Sequence, residues 1–406
     1  MEQSRNRGDD STSEEKVSPG RMFLPSLTMA SFALGPIAVV ASLLLYDMAE
    51  TFSVNVAVMG QISTLSSVVA VVFAVLMGVL SVRFKHKSLL LVGLLFMTVS
   101  TSGCFLAFDY NWMLISYGLS GVAVAMASPM ASALIGEHFP LERRARAVGW
   151  IVAGGSLAYL IGGPTIAFIA GFGGWRAPLL AFVLPISAAS VLLAFVGVPS
   201  ASRSGNPSIS KEAYLESFKA ILKNRSALAC LTGDVLRMVA FTTILLYGTT
   251  FFRVRFELPV EYASFVILGG ALFYTLGGLT SGRLINRFGR KPSTVLTTFL
   301  SGAFTVSYAF MPNLWLSLGL NFVASWFFGM VAAAANCLTL EQLPKFRGTM
   351  MSVDSAAVNL GSAVGGAIGG LALLWFDYEG VGSVLGAMGI LAALVFYFFA
   401  TDPTRT

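Results

Sequence analysis

Long apolar runs alternate with short polar breaks along almost the whole chain. The first run starts after Arg21, and each break carries a few Lys, Arg, Asp, Glu, Asn or Pro residues. A helix needs about 20 apolar residues to cross a hydrocarbon core of ~30 Å. On that measure the runs predict twelve membrane helices: 26–48, 57–81, 88–108, 112–135, 147–170 and 177–198, then 227–252, 262–282, 293–311, 313–339, 349–375 and 380–401. Residues 1–22 mix charges with Gly, Ser and Pro and are expected to form a disordered tail. The first run is too long for a secretory signal and starts too late, so it is expected to be a retained helix. The polar stretch 199–225 predicts a linker and 402–406 a second tail. Two six-helix units, 23–198 and 226–401, follow from this division.

Composition agrees with an all-α membrane protein. Of 406 residues, 56% are hydrophobic and 11% charged, against about 25% charged in soluble domains. That excludes a soluble globular protein, a disordered chain and a nucleic-acid-binding domain. The formal net charge of +6 would suit an anionic partner, but topology accounts for it. With a cytoplasmic N-terminus, 22 of the 26 Lys and Arg residues fall in cytoplasmic segments. Arg176, Arg253 and Arg255 lie outside, and Arg237 lies within a helix. The positive-inside rule then places both termini in the cytoplasm. Short loops and tails suit a plasma (inner) membrane, so the lipid bilayer is a partner and nucleic acid is not.

The two halves repeat. A shift of 204 residues carries Gly78, Leu80, Arg83, Phe84 and Lys87 onto Gly282, Leu284, Arg287, Phe288 and Lys291. The same shift carries Glu137, Pro140 and Arg143 onto Glu341, Pro344 and Arg347, Phe52 onto Phe256, and Gly162 onto Gly366. Six helices per half is an even number, so both halves enter the membrane in the same direction. A parallel repeat of two bundles around a midplane site is an alternating-access architecture.

The repeated segments carry a further likeness. Gly282-Arg-Leu-Ile-Asn286-Arg287-Phe288-Gly289-Arg290-Lys291-Pro292 resembles the loop between helices 8 and 9 of the major facilitator superfamily. Gly78 to Lys87 resembles the matching loop between helices 2 and 3, with Val82 where the family usually has an acid. Glu137-His-Phe-Pro140-Leu-Glu-Arg143-Arg144 resembles its 4–5 loop, and Leu343 to Met350 the 10–11 loop of its drug and metabolite efflux branch, which includes arabinose-efflux-permease-like and drug:proton antiporter-like proteins. The resemblance covers the chain beyond the N-terminal tail. It implies a monomeric secondary transporter with the twelve-helix fold. The loop residues are then expected to gate the cytoplasmic side, through the clusters Arg83–Glu137–Arg143 and Arg287–Glu341–Arg347. Tyr117 stands where proton-driven exporters of this family carry an arginine in helix 4. Gly163-Pro164 keeps the family's Gly-Pro pair of helix 5, although Tyr159 and Phe168 fill positions expected to be small.

Charges inside a membrane span are functional candidates by default. Asp234 lies ~10 Å into helix 7 and Arg237 ~15 Å in, near the midplane. Three residues apart, they share a helix face and can pair. They form either a substrate anchor or protonation site, or a structural ion pair. Asp354, about 6 residues into helix 11, is expected to bond groups of helix 2 or 8 or to cap a contact between the halves. Tyr117, Tyr159, Asn321 and Asn359 are neutral candidates for substrate contact. Asp47 and Glu50, at the outer end of helix 1, read as solvated loop charges. Gly365, Gly366, Gly369 and Gly370 read as close helix packing in helix 11, since no phosphate-loop lysine accompanies them.

Cys104, Cys230 and Cys337 fall in apolar runs and read as small buried hydrophobes. His86 and His138 sit in charged loops. No His/Cys/carboxylate spacing suggests a metal, no nucleophile–base set suggests an enzyme, and no nucleotide-binding motif suggests ATP as the driver. No cofactor is expected. The function these features imply is alternating-access transport of a small organic solute, as proton-coupled efflux. The alternatives are an importer or facilitator of a small organic anion held by Arg237, and a non-transporting receptor with the same fold.

Overall fold

In a computed structural model of the chain, the described residues are 20–139, 141–199 and 211–402, without the side chains of 78, 79, 82, 141–146, 148, 211–215, 217, 347, 348 and 352. Residues 1–19 of the N-terminal tail, Pro140, residues 200–210 of the linker and residues 403–406 lie outside this description, as do the side chains of Arg143 and Arg347. The described residues form helices and no strand.

Among the described residues, ten helices are long and apolar enough to cross a membrane. One of them, Thr349–Phe399, runs for 51 residues and breaks at Asp377, whose φ is +56°. A positive φ is uncommon outside glycine and is most often taken by Asn, Asp or His, so this helix supplies spans 11 and 12. Arg290–Phe310 adds span 9 and completes twelve. It is less apolar because one face is threonine and serine. Thr294, Thr297, Thr298 and Thr305 each return a hydroxyl to the carbonyl one turn back, which removes the penalty of burying them.

The other spans match the apolar runs to within a few residues. Helix 1 is broken into Phe23–Ala33, Pro36–Leu43 and Leu45–Thr51. Pro36 has no N–H and restricts its predecessor, so the break falls at Leu34–Gly35. Helix 2 is Val56–Met59 with Gln61–Arg83, helix 3 His86–Phe105, helix 4 Tyr110–His138 and helix 5 Leu141–Gly173. Helix 6 runs from Arg176 to Gly197 through a π-helical turn, Leu179–Val183, just before Pro185. Helix 7 is Arg225–Arg255, helix 8 Val260–Phe288 and helix 10 Leu314–Leu340. The linker holds a helix that was not expected, Lys211–Lys223. It buries Ile221 against Leu231 and Met350 and leaves Phe218 and Leu222 exposed.

Helix 11 packs closely against helix 7. A methyl group on Gly365 would stand 2.7 Å from the Val239 carbonyl oxygen, and one on Gly361 2.5 Å from that of Val235. Thr243 donates to the Gly365 carbonyl at 2.6 Å, and Thr242 to Ser362 at 3.1 Å. The other glycines of the run face elsewhere: Gly366 meets Thr64, and Gly370 meets Gln61 and Ala57, all on helix 2 of the other bundle. Small residues thus let one helix touch two neighbours at once.

Candidate functional site

Helix 7 carries two charged side chains into this packed interface. Asp234 is fully buried and Arg237 is 8% exposed. The i,i+3 spacing brings the Arg237 Nε to Asp234 Oδ1 in a direct ion pair. The Thr339 hydroxyl of helix 10 donates to Asp234 Oδ2 at 3.2 Å. The close approach of helix 11 then adds Asp354, 6% exposed, whose carboxyl faces Asp234 and Arg237. Asp354 was expected against helix 2 or 8 or at a contact between the halves. It lies instead with the helix 7 pair, because Gly361 and Gly365 draw the two backbones together. Its Oδ1 is buried with no hydrogen-bond partner. Cys230, one turn before Asp234, faces the same group and Thr339.

Tyrosines continue from this cluster toward the first bundle. Tyr274 of helix 8 faces Arg237, Tyr159 of helix 5 faces Tyr274, and Tyr117 of helix 4 faces Tyr159. Phe241 packs on Tyr274 and Phe328, with ring centroids 5.3 and 5.5 Å apart. Tyr159 thus reaches the cluster only through Tyr274, and Tyr117 only through Tyr159, while the two asparagines point elsewhere. Asn321 turns to the Tyr308 hydroxyl of helix 9. Asn359 donates to its own helix at Ser355 O, 2.8 Å away.

Between described residues, the hydrogen bonds joining the two bundles all lie at the end away from the basic loops. Ser42 donates to the Leu245 carbonyl and lies 3.4 Å from the Thr249 hydroxyl. Tyr247, 1% exposed, reaches the Ala57 carbonyl at 3.5 Å. Arg253 grips Asp47 through both guanidinium nitrogens and also donates to the Leu43 carbonyl at 3.0 Å. Asp47 is thus a partner in a bidentate bridge rather than a solvated loop charge, because the end of helix 7 lies directly beside that of helix 1. In the same region Gly163 abuts Ser264 and Ile267 of helix 8, with Pro164 next to it in helix 5.

The Major Facilitator Superfamily model matches residues 26–273 and 256–406. The chain belongs to the major facilitator superfamily. It is 26% identical over 377 residues to the uncharacterized MFS-type transporter YwfA of Bacillus subtilis (strain 168), covering 92% of this chain and 90% of that one. It is 29% identical over 169 residues to the multi-drug resistance efflux pump PmrA homolog of Lactococcus lactis subsp. lactis (strain IL1403), covering 38% and 42%. The solved D-xylose-proton symporter superposes with TM-score 0.77 at 18% identity, covering 94% of this chain and 98% of that one. The twelve helices are therefore the two parallel six-helix bundles of a secondary transporter of this superfamily.

The expected clusters at the basic end include Arg143 and Arg347, whose side chains lie outside the described residues; the described loop residues form the following pairs. His86 Nδ1 meets Glu137 at 2.6 Å, and Arg290 Nη1 lies 3.6 Å from Glu341. A shift of 204 residues maps one pair onto the other. Each pair ties the start of helix 3 or 9 to the end of helix 4 or 10 within one bundle. Lys87 instead donates to the Phe195 carbonyl at 2.8 Å, and the Arg287 guanidinium lies over its neighbour Phe288. Lys291 lies over Tyr397, and Gly289 begins helix 9 at φ +93°. Asn286 and Gly282 fall in the last turns of helix 8, and Gly78 and Arg83 in those of helix 2.

Two smaller expectations are corrected. His138 is not in a loop: it closes helix 4, buried, beside the Leu134 carbonyl and Phe23. Cys337 is exposed, unlike Cys104 and Cys230. Next to it, Asn336 is exposed on helix 10, and Ser132 is exposed at the equivalent place on helix 4. The 204-residue repeat offset aligns Ser132 with Asn336, two polar residues within apolar spans, which is the signal in the sequence that marks them.

Proposed function

We propose that the chain is a proton-coupled exporter of a small organic solute, captured with its outer side shut and its cytoplasmic side accessible. The observation that carries this reading is the buried Asp234–Arg237–Asp354 cluster, standing between a far end where hydrogen bonds join the bundles and a basic end that exposes Ser132 and Asn336 at repeat-equivalent places on helices 4 and 10. Exposed polar side chains in membrane helices are expected to line water rather than lipid. The positive-inside rule makes the basic end cytoplasmic, so the state is inward-facing. An efflux pump among its relatives supports the direction of transport, and a proton symporter among its structural neighbours supports the coupling.

Import of an organic anion held by Arg237 is less well supported, because Asp234 already occupies that guanidinium. Of two carboxylates and one arginine, the uncompensated charge is negative, which suits a proton or a cationic solute. The tyrosine and phenylalanine walls suit an apolar, aromatic-bearing body. The reading is tested in two steps. Purified protein is first screened for thermal stabilisation by organic cations, neutral compounds and carboxylates; a ligand at about 100 times its Kd stabilises by ~2.7 kcal/mol. The ligand found is then loaded into everted vesicle assays with an imposed pH gradient. Accumulation that collapses with the gradient supports the reading, and accumulation indifferent to it refutes the coupling.

A further inference from the structure

We propose that Asp234 and Asp354 hold a single proton between them, so that the carrier's proton site is a carboxyl pair bridging helices 7 and 11 rather than either residue alone. The proposal rests on the proton-coupled reading above and adds where the proton sits and how many there are.

Both oxygens of Asp234 are already engaged, Oδ1 by the Arg237 Nε and Oδ2 by the Thr339 hydroxyl. Asp354 faces this carboxylate, and its Oδ1 is buried without a donor. An ionised carboxylate only accepts hydrogen bonds. Two facing carboxyl groups can therefore bond to each other only if one of them carries a proton. The charges lead to the same point. Two carboxylates and one guanidinium leave a net negative charge in a water-poor interface, where like charges repel strongly. One bound proton makes the group neutral. The described titratable groups facing the cluster are Cys230 from helix 7 and Tyr274 from helix 8, and Thr339 of helix 10 contributes only its hydroxyl. None of them brings a second cation.

The backbone is built for this contact. Gly361, two turns beyond Asp354, meets helix 7 at Val235, next to Asp234, and Gly365 meets it one turn further on at Val239. Gly366 and Gly370, on the adjoining face of helix 11, press on Thr64, Gln61 and Ala57 of the first bundle. The helix that carries Asp354 therefore also forms the seam between bundles. Rocking at that seam moves the Asp354 helix against the first bundle while both carboxyls travel with the second, so the proton is carried by one bundle.

The test reads the proton directly by infrared spectroscopy of purified protein in nanodiscs at pH 7. The expected result is a protonated-carboxyl carbonyl band in the wild type that shifts in D2O. The band is lost in Asp354→Asn and equally in Asp234→Asn, since either change leaves one carboxylate facing one arginine. Asp354→Glu keeps it. Absence of the band from the wild type overturns the proposal without recourse to any variant. So does survival of the band in either asparagine variant that remains monodisperse, because the proton then belongs to one residue. Failure of the coupling reading looks different. A band that behaves as expected, in a protein whose flux ignores the pH gradient, supports the shared proton and removes the coupling. Gradient-driven flux without the band overturns the shared proton and leaves the coupling in place.

Discussion

Removing the Asp47–Arg253 bridge should open the far end of the molecule. Arg253 makes three hydrogen bonds across the bundles, two of them to a carboxylate. A hydrogen bond to a charged group is worth about 1.5–3 kcal/mol net, and an exposed ion pair only about 0–1 kcal/mol. The Arg253 side chain is 12% exposed and that of Asp47 31%, which places the bridge between these limits. About 1.5 kcal/mol is a fair working figure, or roughly a tenfold change in the ratio of closed to open states. The bridge biases this equilibrium only by the difference in its strength between the two states. Spin labels on Leu106→Cys and Trp315→Cys, exposed at the far ends of helices 3 and 10, report the separation once the three native cysteines are replaced. Asp47→Asn and Arg253→Gln should each add a longer distance component. The double variant should add little to either single one, because the two share one interaction. Distance distributions unchanged in both single variants would refute the latch.

Other outcomes follow from the same geometry. Gly365→Leu should lower the melting temperature sharply and abolish transport, since overpacking a tight contact costs about 1–3 kcal/mol, whereas Gly282→Ala, with open space around it, should leave both nearly unchanged. Glu137→Gln should shift stability by less than about 1 kcal/mol, as expected of a partly exposed pair. Asp234→Ala strands a buried arginine and should destabilise by about 3–5 kcal/mol, so chemical denaturation of the two variants should separate them clearly. Cys337 should react with a membrane-impermeant maleimide added from the cytoplasmic side while Cys104 and Cys230 stay protected, and Ser132→Cys and Asn336→Cys should share its reactivity. Labelling of these positions from the opposite side only would reverse the assigned orientation.

Much of the fold was legible because a bilayer imposes a length on every apolar run. Even helix 9 was found, although its threonines make it less apolar than its neighbours, since local back-bonding hides their hydroxyls. The repeat offset carried more than was drawn from it. It relates His86 to Arg290 as well as Glu137 to Glu341, and so the two observed pairs to each other, yet Arg83 and Arg287 drew attention as the more basic loop residues. What the chain order concealed was which helices touch. Asp354 is 120 residues from Asp234, and only the i,i+4 glycines of helix 11, Gly361, Gly365 and Gly369, signal a close neighbour. Nothing in the local sequence says that this neighbour is helix 7. Asp47 and Arg253 were hidden in the same way, each an unremarkable charge at the end of a helix until the bundles are set side by side.

What matters most for transport is whether the carboxyl cluster couples solute movement to protons. The direct measurement is proton release in proteoliposomes of known orientation, followed with an internal pH dye as a stabilising ligand is added. Wild-type protein is predicted to exchange protons for ligand, and Asp234→Asn and Asp354→Asn to bind ligand yet move no protons. Undiminished proton exchange in both variants, with both correctly inserted, would contradict it.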